Sequence, residues 1–131
     1  MSHVMHGYFL ENDSQINQEW VFTKIKDLFL NFNGVMITKE KDPFDDQESL
    51  NLNFGGYWLS VFYDHSQQVH NDFAFIQQSV ANVSSRIRIV FGADNDNLFD
   101  DIAVIVYDFL LNLDHVLVYD VNQNEVVERH P

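Results

Sequence analysis

Residues Arg86 to Leu113 constrain the fold of this chain more than any other stretch. Ile87, Ile89 and Phe91 alternate with Arg86 and Arg88, the period-two pattern of a strand with one face against a core. A turn with Asp94 and Asp96 follows, and then a helix expected from Leu98 to Leu113. In it, Leu98, Phe99, Ile102, Ile105, Val106, Phe109, Leu110 and Leu113 recur at helical spacing, while Ala103, Val104 and Leu111 fill much of the remaining circumference. A helix apolar nearly all round is expected to be buried on more than one side.

The flanking sequence supplies the other elements. Val4, Met5, Tyr8, Phe9 and Leu10 read as an edge strand. Asp13-Ser14 offers an N-cap for a helix over 15–32, which stops at Asn33-Gly34. Val21, Phe22, Ile25, Leu28, Phe29 and Phe32 share one stripe of that helix; Ile16, Trp20 and Leu30 lie opposite. A Trp off the core stripe either packs under the N-terminal segment or serves an interface. Strands follow over 35–38 and 50–54, separated by a polar loop, and Gly55-Gly56 signals a tight hairpin into an aromatic strand over 57–63. A helix over 67–81, with Ser66 as cap, buries Val69, Phe73, Ile76 and Val80. After the organising helix, 116–119 and 125–127 form a closing hairpin, and residues 129–131 look frayed. The order β-α-β-β-β-α-β-α-β-β, without repeat or linker, predicts one α+β domain over residues 1–131. Its sheet is mixed or mainly antiparallel, with about three helices mainly on one face.

Composition excludes several function classes. A chain of 131 residues with 46% hydrophobic and 15% aromatic content builds one sizeable core. No apolar run approaches the roughly 18 residues of a membrane span, and the N-terminus lacks a secretory signal pattern. With no Cys, disulfide, zinc-thiolate and Cys-nucleophile chemistry fall away together, which fits the cytoplasm. The net charge of −13, from 20 acids against 7 bases, repels nucleic acid and anionic membrane. It speeds encounter with a basic partner, or simply keeps a Phe-rich chain soluble.

No constellation spells out a reaction, and no catalytic residue, metal or cofactor is assigned. Asp94-x-Asp96 opens like a calcium loop, but Leu98, Phe99 and Ile105 stand where that loop needs a ligand, a Gly and a bidentate Glu. The six His show no HExxH spacing. The pairs Asp45-Asp46 and Asp100-Asp101 sit in polar surroundings, and the second lies in a helix's first turn, where the dipole favours negative charge. Asp108 falls within the apolar helix and, if buried, needs a donor such as Arg86 or Arg88, although those arginines fit cross-strand pairing with acids such as Asp64 or Asp120 better. No phosphate loop, dinucleotide fingerprint or nucleophile elbow occurs.

What remains is a surface. Asp42, Asp45, Asp46 and Glu48 form one acidic loop and Asp94, Asp96, Asp100 and Asp101 a second, the chemistry of a binder whose partner presents Lys and Arg. Phe99-Asp100-Asp101-Ile102 running on to Leu113, then His115-Val116-Leu117-Val118-Tyr119-Asp120 and a hairpin, resembles the immunity proteins of contact-dependent inhibition and type VI secretion. The resemblance covers the character of most of the chain and transfers no site residue. It implies a cytoplasmic protein, not an enzyme, that neutralises one cognate toxin. A nuclease toxin is the expected partner, because its cleft must be basic to hold phosphates. Two alternatives are self-association through Ile16, Trp20 and Leu30, and a ligand pocket lined by Tyr57, Trp58, Tyr63 and Tyr119 with Arg86 or Arg88 gripping an anion.

Overall fold

The computed structural model describes residues 3–11, 13–76, 83–94 and 98–127. In chain order these form β1 (His3–Phe9), α1 (Gln18–Leu28), β2 (Met36–Lys41), β3 (Glu48–Asn53), β4 (Trp58–His65), α2 (Gln67–Ile76), β5 (Ser85–Phe91), α3 (Asp100–Leu111), β6 (Val116–Asp120) and β7 (Glu125–Val127). The succession is the one the sequence predicts. Among the described residues seven strands make one sheet, ordered β2-β3-β4-β5-β1-β6-β7, with every pairing antiparallel. The expected α+β class holds.

Alternation along the strands divides the side chains between two faces. On one face Met5, Phe9, Leu50, Leu52, Leu59, Val61, Ile87, Ile89, Phe91 and Val118 meet α1 through Val21, Phe22 and Ile25, and α3 through Ile102, Val106 and Leu110. Helix α2 covers the opposite face through Val69 and Phe73, which pack with Tyr8 and Val83. Of the three helices among the described residues, two therefore share a face. Val80, expected in the α2 stripe, lies outside the described residues.

Three expectations need correction. β1 is not an edge strand: it lies between β5 and β6, pairing Met5 with both Ile89 and Asp120. Its apolar residues serve both faces, Met5 and Phe9 on one and Tyr8 on the other, as an interior strand's do. α1 is shorter than 15–32, because Asn17 takes the cap, its side chain accepting from Trp20 N–H at 2.9 Å. Asp13 instead accepts from Gln15 N–H in the preceding turn. Helix α3 is buried on one side only: Val104 remains 55% exposed and Leu98, outside the helix, 75%. Asp108 shares the open side and points to solvent, so it pairs with neither arginine.

The Gly55-Gly56 hairpin forms as expected. Both glycines have positive φ (76° and 127°), and Phe54 N–H donates to Tyr57 C=O at 2.8 Å across the turn.

Candidate interaction surfaces

Register decides where the acidic loops stand. Lys41 pairs with Glu48 and His65 with Ser85 at one end of the sheet, whereas Leu59 pairs with Phe91 at the other. The connection after Lys41 and the one after Phe91 therefore leave opposite ends, separated by about 20 Å at roughly 3.4 Å per residue along β4. The two acidic loops expected from the sequence therefore stand at opposite ends of the sheet.

At the first end, the β2–β3 loop is fastened by its own carboxylates. Asp42 accepts from Phe44 N–H at 2.7 Å and Asp45 from Gln47 N–H at 2.9 Å. Backbone bonds from Asp42 N–H to Gln47 C=O and from Asp46 N–H to Asp42 C=O close the turn, with Asp46 at φ 60°. Each carboxylate so used binds backbone through one oxygen and faces solvent with the other. Phe44, held at the tip, is 97% exposed. Composition gave no sign of this. A Phe after a Pro in a run of acids is the signal that was available. Glu48 belongs to β3, not to the loop; Lys39 Nζ lies 2.9 Å from it and that bond lowers its pKa.

At the other end, both oxygens of Asp94 are occupied, accepting from Leu98 N–H at 3.0 Å and Phe99 N–H at 2.9 Å. They fasten the turn that leads into α3, whose N-cap residue Phe99 makes no side-chain cap bond. Phe99 stacks on Tyr57 with centroids 5.0 Å apart. Burial, then the charges of Asp94 and Asp100, push the Tyr57 hydroxyl up to about 12. Asp100 and Asp101 stand exposed in the first turn of α3. Asp96 lies outside the described residues.

Arg86 and Arg88 are engaged internally. Asp64 receives Arg86 Nε at 2.8 Å and Arg88 Nε at 3.0 Å, and Arg86 reaches Asp72 of α2 at 2.7 Å and the Tyr8 hydroxyl at 3.3 Å. Burial opposes the charge on Asp64, but hydrogen bonds from Arg88 and Arg86 outweigh it and hold the carboxyl below its ordinary pKa. The guanidinium of Arg88 also lies over Phe62, 4.0 Å from the ring centroid. Of the two expected cross-strand acids only Asp64 is used. Asp120 faces the other side of the sheet on β6 and meets His3 at 3.3 Å. His6, on the arginine face, bonds the Tyr8 hydroxyl; burial, then Arg86, lower it to about 4.

The alternative sites assemble only in part: Ile16 and Trp20 line one depression. Ile16 and Trp20 pack against the core, Trp20 edge-on to Phe9 at 6.4 Å, while Leu30 projects beyond the far end of α1. Tyr57 and Tyr63 pack against the two-helix core, whereas Tyr119 packs with the α2 cluster and Trp58 is half exposed. The four rings line no common cavity. Among the described residues no three His, Asp or Glu side chains gather as a metal site would need, and no helix is long and apolar enough to cross a membrane.

Compared with protein families, curated proteins and solved structures, the chain matches none.

Proposed function

We propose that the chain is a cytoplasmic immunity protein that binds a cognate bacterial toxin, a nuclease with a basic cleft, and neutralises it by charge-complementary contact. One observation carries the reading: Phe44 stands almost wholly in solvent at the tip of a fastened loop, with Asp42, Asp45 and Asp46 around it. An isolated exposed ring costs solubility and stabilises nothing in the fold. Set in carboxylates on an ordered turn, it has the form of an interface anchor, an aromatic that enters a pocket while the charged rim meets the partner's bases. The order is already in place, so little conformational entropy is lost on docking.

A nuclease cleft suits this surface, because groups placed to hold phosphates also hold carboxylates. The net charge of −13 adds long-range attraction and raises the encounter rate. The experiment is to mix the purified chain with the protein encoded beside it, at low salt. A complex that Phe44→Ala weakens at least tenfold, without loss of fold, supports the reading. No complex with the wild type ends it.

A further inference from the structure

The sheet end that carries the Phe44 loop also carries a groove whose floor is aromatic. Two depressions, of 560 and 360 Å³, adjoin there and share Phe9, Glu11, Asp13 and Ile16. Tyr63 and His65 line the first, Trp20 and Asp114 the second. Phe9, buried in the core beneath the floor, supports the two partly exposed rings, its centroid 6.4 Å from Trp20 and 6.5 Å from Tyr63. The Tyr63 and His65 rings are parallel to within 4°, with centroids 6.4 Å apart. The walls are fastened by backbone: Leu10 N–H donates to His115 C=O at 2.8 Å and Ile16 N–H to Asp13 C=O at 3.0 Å.

The charge of the lining is one-sided. Glu11, Asp13 and Asp114 are exposed on the rim, and neither depression is lined by Lys or Arg. Two side chains of the chain bear on the groove: His115, which lines the second depression, has Nδ1 3.4 Å from Glu11, both well exposed, and Lys24 Nζ is 5.8 Å from the Trp20 ring centroid. An aromatic floor under a carboxylate rim complements a flat cation. A guanidinium stacks on ring faces and offers a planar fork to carboxylates, whereas an ammonium is a compact, strongly hydrated charge.

We propose that this groove seats an arginine side chain of the basic partner, its guanidinium against Tyr63 and Trp20 and its N–H groups toward Asp13, Glu11 and Asp114. The proposal rests on the reading of the chain as a binder of a basic protein, and places a second contact at the end of the sheet where Phe44 makes the first.

The test uses the full chain and the peptide acetyl-Gly-Gly-Arg-Gly-Gly-amide, followed by the two tryptophan indole N–H signals in NMR. Trp20 lines the groove; Trp58 serves as the remote control. The expected result is a saturable shift of Trp20 with Trp58 unmoved, and weaker binding of the lysine analogue. Asp13→Asn and Asp114→Asn should each weaken binding roughly twofold to fivefold, and Tyr63→Leu should weaken it with the fold retained. Equal shifts of both indoles, no shift of Trp20, or equal affinity for the lysine peptide would overturn the proposal. So would a Trp20 shift that follows protein concentration without peptide, since the occupant would then be a second copy. If the neighbouring protein binds through Phe44 while the peptide leaves Trp20 unmoved, the groove fails and the binder stands. If the peptide binds as expected and the neighbouring protein does not, the groove stands and the toxin reading fails.

Discussion

Arg86 is 7% exposed and still charged, because two carboxylates and a phenol meet it between the sheet and α2. Removing one partner of such a cluster leaves the others buried without compensation. Arg86→Met should cost about 3 kcal/mol in urea unfolding, at the low end for a broken buried pair because Arg88 still holds Asp64. His6 gives a pH signature. Its pKa in the folded chain is about 4 against 6.5 for the unfolded side chain, so the stability it adds is complete above pH 6.5 and is lost as pH falls toward 4. Stability measured across that window should therefore rise with pH, and His6→Gln should flatten the slope by about one proton. Gly92 is legible only in three dimensions. A Cβ there would stand 2.7 Å from Trp58 Nε1, so the indole lies where only Gly lets it lie. Gly92→Ala should displace the ring, change its fluorescence and cost about 1 kcal/mol. Sequence reading found Asp64 as an arginine partner, because cross-strand pairing is local once β4 and β5 are aligned. It misplaced Asp108, because a helix apolar on most sides does not announce which side meets the sheet.

At the scale of elements, local signals carried far. Strand alternation and the Gly55-Gly56 turn gave the succession of strands and helices, since each depends on neighbours a few residues away. Helix ends were less legible. Asp13 and Asn17 both satisfy the N-cap preference, and only the geometry of the 10–17 connection gives the cap to Asn17. The position of β1 depends on pairing with β5 and β6, far away in the chain, which no local pattern encodes. α3 shows how a charge read as functional can be structural: Asp94 fastens the turn that leads into the helix with both oxygens. Asp94→Ala should cost about 1 kcal/mol of stability, the ordinary net worth of a hydrogen-bonded turn carboxylate. It should leave partner binding within about twofold, because an occupied carboxylate has little left to offer. Binding lost without loss of stability would show that Asp94 belongs to the interface.

Across the whole molecule, antiparallel order is what separates the acids. The two loops were adjacent in chemistry but not in space, and the charge count alone could not divide them. The β2–β3 end carries Phe44, the exposed carboxylates of Asp42, Asp45 and Asp46, the last 3.9 Å from Lys41 Nζ, and the aromatic groove; the α3 end carries Asp94 in the turn before the helix, with Asp100 and Asp101 exposed. Neutralising Asp42, Asp45 and Asp46 together should therefore weaken a basic partner far more than neutralising Asp100 and Asp101, although both changes reduce net charge. The measurement that meets the central claim most directly is the association rate of the chain with the protein encoded beside it, followed from low to high salt. The expected result is a fast, saturable association that slows at least tenfold as salt screens the exposed charges beyond about 8–10 Å, and a complex that Phe44→Ala dissociates faster. An absent complex at low salt, or one indifferent both to salt and to Phe44, would contradict it.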